Sequence, residues 1–252
     1  MDWHDPIGKK IIELARIETS DKILDIGTGA GEPGLSASSV ATKGKVIGID
    51  ISEEMISTAN ESAKLKAVNN YEAILYDGYT IPFAEQTFDA AISRNGIMFS
   101  PDLNKAMSEV RRVLKSKGSV IISGWGPPEN NESGYLIRNI LSDLVNLTPV
   151  PVGEPGPYKF AAKDSLTGIL MDSHFEEVRE IDIFGTVKFD SPSHYWKFIS
   201  ESQMPVIDSI AKYGPECEEK IKTAVFEAVT PYIKNEALEF RWHAVIGYGQ
   251  KN

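Results

Sequence analysis

Cysteine is almost absent from this chain, which has one, Cys217, among 252 residues. A single thiol cannot form a disulfide within the chain, nor can it build a cysteine cluster for a metal ion. The four histidines include no H-x-x-x-H pair of the kind that binds zinc on a helix. The sequence therefore predicts no disulfide framework and no metal centre, and a reducing compartment suits it.

Positive charge and long apolar stretches are also scarce. Lysine and arginine number 26 against 36 acidic residues, which gives a formal net charge of -10 at pH 7. An acidic surface repels phosphate groups, so nucleic acid is not an expected partner. No apolar run approaches the length of a membrane span, and MDWHDPIGKK lacks the apolar segment of a secretory signal. We expect a cytoplasmic protein with no stable membrane insertion.

Strand-like and helix-like patterns alternate along the first half of the chain. The strand candidates are KILDI (22–26), KVIGID (45–50), YEAILY (71–76), FDAAIS (88–93) and SVIISGW (119–125). Helical patterns lie between them, which predicts a doubly wound α/β fold with a mostly parallel sheet.

The second half is less regular. Helical patterns cover 135–147, 163–173 and pieces of 191–234 broken at Pro205, Pro215 and Pro231, and strand patterns cover 175–189 and 239–249. The whole chain, residues 1–252, is expected to be one domain. Three segments, about 1–18, 126–162 and 190–236, are expected to be cap or lid insertions, because specificity is commonly carried by loops beyond a rigid sheet.

The most informative segment is ILDIGTGAGEPGLS (23–36), in which a strand pattern runs into closely spaced glycines and then a helix pattern. Glycine suits backbone that turns sharply or approaches a ligand closely, and a helix N-terminus presents free N–H groups to that ligand. Asp25, Asp50 and Asp77 stand at or just after the ends of three successive strand patterns. A ligand site is therefore expected at the carboxyl edge of the sheet.

Two cofactors compete for this glycine loop. Gly29, Gly31 and Gly34 satisfy G-x-G-x-x-G, and Asp50 follows about 20 residues later, as in a dinucleotide site. Asp25 and Gly27 extend the pattern to D-x-G-x-G-x-G, and a carboxylate there suits the cationic S-adenosylmethionine better than a pyrophosphate. S-adenosylmethionine is favoured. An NAD(P)-linked oxidoreductase and a non-catalytic binding module remain alternatives.

Residues 23–123 also resemble a known family. LDIGTGAGEPGLS, VIGIDISEEMISTA and the long segment from YDGYTIPF to GSVIIS are similar to the class I methyltransferases, and within them to the ubiquinone/menaquinone biosynthesis branch. The resemblance implies a seven-stranded sheet of order 3-2-1-4-5-7-6 with the last strand antiparallel. The chain departs from the family pattern at Gly78 and Tyr79, and at Ser116–Gly118 before the fifth strand.

The resemblance also implies which residues hold S-adenosylmethionine. Its methionine part would lie against the glycine loop and beyond the fourth strand, at Asp25, Gly27, Thr28, Gly29, Gly31 and Asn95. Asp50 would accept from both ribose hydroxyls. Ile51 and Met55 would sandwich the adenine, and Asp77 and Gly78 would meet its edge.

Methyl transfer is an in-line displacement that gains chiefly from positioning, and it needs a base only when the acceptor must lose a proton. Of the four histidines, His4 and His194 are the candidate bases because they lie in the expected cap segments. Aromatic side chains are frequent in those segments, among them Trp3, Tyr158 and Trp196. The sequence predicts a small, largely apolar methyl acceptor, and it predicts no oligomeric state.

Overall fold

The computed structural model describes residues 5–235 and 237–252. Over this part of the chain the strands are β1 (Lys22–Ile26), β2 (Lys45–Asp50), β3 (Tyr71–Leu75), β4 (Phe88–Arg94), β5 (Leu114–Trp125), β6 (Glu176–Phe189), β7 (Ile233–Lys234) and β8 (Ala237–Gln250). The helices are α1 (Asp5–Ala15), α2 (Gly34–Ser38), α3 (Glu53–Leu65), α4 (Leu103–Val113), α5 (Glu132–Val145), α6 (Ser165–Asp172), α7 (Pro192–Ser202), α8 (Met204–Tyr213) and α9 (Pro215–Ala228). Short 3-10 turns cover Ile97–Phe99, Pro128–Asn130 and Thr230–Tyr232.

The strands form one sheet of order β3-β2-β1-β4-β5-β8-β6, and β7 pairs with the beginning of β8. Neighbouring strands from β3 to β5 are parallel, and β8 is antiparallel to β5. The predicted doubly wound fold and its antiparallel last strand are confirmed. The sheet has one strand more than expected, because β7 is only two residues long and too short for a periodic pattern.

Strand β5 begins earlier than its sequence pattern predicts. Leu114 already pairs with Phe88, and the register then shifts before Ala90 pairs with Ser119. Polar residues at 115–117 hide this irregular start from a search for apolar runs. The predicted helix breaks agree with the structure, since α9 begins at Pro215 and α8 begins one residue before Pro205.

The chain divides into two compact units. Among the described residues, the first comprises 5–126, 152–183 and 244–252. Its core includes Leu24 and Ile26 of β1 with Met107 and Val110 of α4, all at most 5% exposed. Helix α1 packs on β4 and β5, and its Ile7 and Ile11 are fully buried. Helix α1, which lies in the predicted cap segment 1–18, is therefore packed against the sheet of this unit.

The second unit comprises the described residues of 127–151, 184–235 and 237–243. Helix α5 packs against α8 and α9. The core of this unit contains Tyr195, whose ring centroid lies 4.8 Å from that of Phe240. The side chain of Cys217 in α9 is also buried. The predicted cap segment 126–162 is divided between the two units, whereas 190–236 lies in the second. The cap role of these segments stays a prediction.

No helix in the described residues is long and apolar enough to cross a membrane.

Candidate active site

A cleft of about 360 Å³ lies at the carboxyl edge of the sheet in the first unit. Four successive strand ends contribute to its wall, through Ile26, Gly27, Asp50, Ile51, Tyr76, Gly78, Asn95 and Gly96. The rest of the wall is mostly apolar and comes from the segment after β3, from the turn after β4 and from α4, through Tyr79, Ile81, Ile97, Phe99, Ser100, Pro101, Ala106, Glu109 and Val110. Both its size and its position are typical of a small-ligand site.

Of the loop glycines Gly27, Gly29 and Gly31, only Gly27 is among the residues that line the cleft. Gly27 has a φ of 67°, and a Cβ atom on it would lie 2.7 Å from the Cα of Gly96. The loops after β1 and β4 therefore touch with no room for a side chain. Gly29 and Gly31 also have positive φ, at 53° and 108°. These are conformations that glycine adopts at least cost, so the spacing of the glycines reflects the shape of the loop.

Asp25 lies beneath the loop and is fully buried. Its Oδ2 accepts hydrogen bonds from Thr28 Oγ1 at 2.7 Å and from the Gly34 N–H at 3.0 Å. Its Oδ1 is buried without a hydrogen-bond partner. Burial raises the pKa of Asp25 to about 6, although the Thr28 hydroxyl and the charge of Arg94 oppose this rise. Neither Asp25 nor Thr28 lines the cleft, and their contacts shape the loop from below.

Asp50, by contrast, lines the cleft. Its Oδ2 accepts from the Gly29 N–H at 2.9 Å, and its Oδ1 accepts from the Ser52 N–H at 3.1 Å. These two bonds fix the carboxylate plane, and each oxygen keeps a lone pair for a further donor.

Two apolar residues follow Asp50, and only the first reaches the cleft. Ile51 lines it and is 68% exposed. Met55, which the sequence placed opposite Ile51 across an adenine, is 37% exposed and is not part of the wall. Its backbone N–H is bonded to the Ser52 hydroxyl, which caps α3.

The segment after β3 forms a tight turn around Asp77. Asp77 Oδ1 accepts from the Tyr79 and Thr80 N–H groups at 2.8 and 2.7 Å, and these bonds hold the pKa of its carboxyl below the usual range. Gly78 has a φ of 81° and lines the cleft, and a Cβ on it would lie 3.3 Å from Ile51 Cγ2. Asp77 itself is exposed and Gly78 forms the wall beside Ile51.

Asn95 stands just beyond β4 with a φ of 56°. Its N–H donates to the Ser123 carbonyl oxygen at 3.2 Å, and its Oδ1 accepts from the Ser123 hydroxyl at 3.0 Å. Its Nδ2 is buried and has no hydrogen-bond partner. Asn95 lines the cleft, so the residue that the resemblance assigned to the methionine part carries a buried amide nitrogen without a partner.

Sequence reasoning missed the contribution of α4. Ala106, Glu109 and Val110 line the cleft together because they share one face of this helix. A carboxylate on an otherwise apolar helical face was the available signal. Hydrogen bonds from Arg112 hold the pKa of Glu109 below its usual range, so this carboxylate is charged and occupied.

Of the two candidate bases, His4 lies outside the described residues. His194 lies in the second unit at the start of α7, where its N–H donates to the capping Ser191 hydroxyl and its Nδ1 lies 3.3 Å from Asp190 Oδ2. No histidine is among the described residues that line the cleft. The described residues also contain no group of three side chains suited to hold a metal ion.

Comparison with known proteins gives a family for this half of the chain. Residues 17–141 match the model of a family described as a methyltransferase domain. This segment is a methyltransferase domain. It contains the glycine loop and all the residues that line the cleft, so the predicted enzyme class, an S-adenosylmethionine-dependent methyltransferase, is confirmed.

Three relatives extend the match. An uncharacterized protein of Mycobacterium tuberculosis is 24% identical over 250 residues, which cover 94% of this chain and 84% of that protein. The uncharacterized methyltransferase YcgJ of Bacillus subtilis is 32% identical over 120 residues, or 48% of this chain and 47% of that protein. The YcgJ crystal structure covers 99% of both chains with a TM-score of 0.64 at 20% identity.

The third is a Haemonchus contortus phosphoethanolamine N-methyltransferase, solved with S-adenosylmethionine, which has a TM-score of 0.60 at 18% identity over 99% of this chain and 53% of that one. These likenesses show a shared fold. They give no support to the NAD(P)-linked alternative, and the ubiquinone/menaquinone branch stays a prediction.

Proposed function

We propose that this methyltransferase moves the methyl group of S-adenosylmethionine to a small, largely apolar molecule. The observation that carries the proposal is the cleft, in which the fixed carboxylate of Asp50 and Asn95, whose amide nitrogen has no partner, lie at the ends of β2 and β4 beside an apolar wall. When bound, the cofactor would supply a methyl group attached to a sulfonium sulfur. The group that leaves on methyl transfer is the neutral thioether, which is a good leaving group.

Asp50 is the residue proposed to hold the ribose. Its two oxygens each accept one backbone N–H, which leaves both with a lone pair for one of two adjacent hydroxyls. Ile51 and Gly78 offer an apolar face and a bare backbone beside it. This combination fits a nucleoside, and the adenine edge is assigned to the Asp77–Gly78 turn.

The methionine end is assigned to the glycine loop and Asn95. Gly27 and Gly96 both line the cleft and carry no side chain, so a ligand beside them would meet main chain. The unpartnered Nδ2 of Asn95 is a donor that a carboxylate or carbonyl oxygen of the ligand would satisfy. A buried donor without a partner costs stability, and a bound ligand group is one way in which that cost is recovered.

An apolar acceptor is supported by the remaining wall of the cleft. Ile97, Phe99, Pro101 and Val110 are apolar, and Phe99 is 55% exposed. The fold of this protein does not decide the acceptor, since the Haemonchus contortus enzyme with the same fold is named for phosphoethanolamine, a polar substrate. The resemblance to the ubiquinone/menaquinone branch points the same way as the wall.

The cleft offers little for proton removal. Asp50 accepts two backbone bonds, and Glu109 is held in its charged form by Arg112. Burial raises the pKa of the Tyr76 phenol, so it is not a ready base either. We therefore propose that catalysis rests on holding the acceptor in line with the methyl group. His4 and His194 stay candidate bases for an acceptor that must lose a proton.

Two measurements test the proposal. Titration calorimetry should show binding of S-adenosylhomocysteine and no heat with NADH. Transfer of a labelled methyl group should then be followed to acceptors that share one nucleophile but differ in the size of their apolar part, and kcat/KM should rise with apolar area. Binding of NADH alone would overturn the cofactor assignment, and a preference for the most polar acceptor would overturn the apolar one.

A further inference from the structure

Glu109 and Arg112 of α4 form an ion pair one helical turn apart. Arg112 Nε lies 2.7 Å from Glu109 Oε1, and Arg112 Nη2 lies 2.7 Å from Glu109 Oε2. The Glu109 side chain is 17% exposed and the Arg112 side chain is 33% exposed. The pairing is bidentate, which only the planar guanidinium of arginine can supply.

The same two side chains hold the segment that follows β3. Arg112 Nη1 donates to the Phe83 carbonyl at 2.7 Å, and Arg112 Nη2 donates to the Ile81 carbonyl at 2.9 Å. Glu109 Oε2 accepts from the Ile81 N–H at 3.0 Å. Both backbone groups of Ile81 are therefore bonded to the ion pair, and the carbonyl of Phe83 is its third attachment.

The segment needs such anchors because it has no regular structure of its own. Residues 76–87, between β3 and β4, contain no helix or strand. Four of the residues that line the cleft, Tyr76, Gly78, Tyr79 and Ile81, lie in this segment. The Asp77 side chain bonds to the N–H groups of Tyr79 and Thr80, which follow it directly. These bonds set the local shape of the segment and not its position over the cleft.

We propose that Glu109 and Arg112 are positioning residues that hold the 76–83 segment at the distance the nucleoside end of the cofactor requires. The inference rests on the proposed function, since it needs that cofactor in this cleft. Arg112 is the sharper probe of the two. It does not line the cleft, so its effect on binding passes through the segment it holds or through its partner Glu109. Glu109 does line the cleft, so a change there alters the wall as well.

The neighbouring Arg111 is a matched control on the same helix. Its Nε donates to the His174 carbonyl at 3.2 Å, and its Nη2 donates to Asn252 Oδ1 at 2.6 Å. It thus ties α4 to two other parts of the first unit and makes no contact with the 76–83 segment among its described bonds. Arg111→Gln and Arg112→Gln remove the same side-chain chemistry, one residue apart.

The experiment measures, on the full chain, the dissociation constant of S-adenosylhomocysteine by calorimetry together with the thermal midpoint of each variant. Arg112→Gln should raise the dissociation constant about tenfold or more, because charge-assisted bonds to two backbone carbonyls and to the Glu109 carboxylate are lost. Arg111→Gln should change it by less than about twofold, as expected for a surface change away from the site. In steady-state assays Arg112→Gln should raise KM for the methyl donor and leave kcat near its original value, since it removes uniform binding.

Each outcome decides between the hypotheses. An unchanged dissociation constant in Arg112→Gln, or an equal loss in Arg111→Gln, overturns the positioning role. If Arg112→Gln does not fold, Arg112→Lys takes its place. Lysine keeps the charge beside Glu109 but cannot reach all three partners at once, so it should restore the thermal midpoint and not the affinity. Failure of the original protein to bind S-adenosylhomocysteine would instead overturn the proposed function.

Discussion

The hydroxyl of Thr28 lies 2.8 Å from that of Tyr71 and 2.7 Å from Asp25 Oδ2. Thr28 has one proton, and it donates that proton to the carboxylate, so Tyr71 is the donor to Thr28. Tyr71 stands at the start of β3, and burial raises the pKa of its phenol well above the usual range, which keeps it protonated. This series of hydrogen bonds, from Tyr71 of β3 through Thr28 to Asp25 of β1, therefore supports the glycine loop from below.

Removing the middle of this series should destabilise the protein. Thr28→Val takes one of two donors from the buried Asp25 carboxylate and leaves the Tyr71 hydroxyl unpaired, at a cost of roughly 1–3 kcal/mol in the free energy of unfolding. Urea unfolding measures this cost. Thr58→Val is the control, because Thr58 is exposed on α3 and its hydroxyl bonds only to the Glu54 carbonyl. Equal losses in the two variants would contradict the bracing role.

Stability should depend on pH through Asp25. Burial raises its pKa from an ordinary 3.8 to about 6 in the folded chain. Between these values the folded carboxyl keeps a proton that the unfolded one has released. The contribution of Asp25 to stability is therefore full below the lower value and falls as pH rises towards the upper one.

The variant Asp25→Asn does not titrate and isolates this effect. Its free energy of unfolding, relative to the original chain, should rise by up to roughly 3 kcal/mol between about pH 4 and about pH 7. Unfolding in urea at a series of pH values provides the measurement. Parallel curves for the two proteins would show that the carboxyl titrates normally.

Asp50 should be needed for the cofactor and not for folding. Asp50→Asn keeps one acceptor oxygen but loses the charge that strengthens bonds to the ribose hydroxyls. Affinity for S-adenosylhomocysteine should fall by roughly 1.5–3 kcal/mol in binding free energy. Calorimetry reads the affinity and circular dichroism the fold. Asp21→Asn, at an exposed turn where Asp21 accepts from the Glu18 N–H, should bind as the original does. The ribose assignment fails if both variants bind equally well.

The contact between Gly27 and Gly96 predicts a cost for any side chain at the first position. In Gly27→Ala the new methyl group would meet backbone at 2.7 Å. Gly153→Ala is the matched control, because Gly153 also has a positive φ, 90°, but has nothing within 4 Å of its missing Cβ. Gly27→Ala should lose roughly 1–3 kcal/mol more than Gly153→Ala in unfolding free energy. A cost no larger than that of the control would show that the two loops separate easily.

The sequence predicted those features that local patterns encode. Alternating strand and helix patterns predicted the doubly wound, mostly parallel sheet, whereas its strand order came from the family resemblance. The glycine and aspartate spacing pointed to the carboxyl edge of the sheet, where the cleft lies. The pairings that complete the cleft are separated along the chain. Asn95 depends on Ser123, 28 residues away, and Ile81 on Glu109, also 28 residues away. Neither local segment contains a pattern that identifies its distant partner. The contribution of α4 to the cleft was therefore not predicted.

Burial of single side chains was equally hard to predict. Asp25 was expected beside the cofactor's ammonium because it ends a strand, yet it is fully buried and does not line the cleft. Alternation along a strand sends Asp25 to the opposite face from Ile26, which does line the cleft. That face also holds Thr28 and Tyr71, whose contribution depends on β3 lying two strands away.

The lone thiol of the chain gives a natural reporter of motion in the second unit. Cys217 is 9% exposed and sits in α9, so an alkylating reagent reaches it only when that helix opens. No second cysteine competes for the reagent, so all labelling reports on the opening of this site. The labelling rate in native buffer therefore yields the opening free energy of this unit by itself, separately from the melting of the sheet.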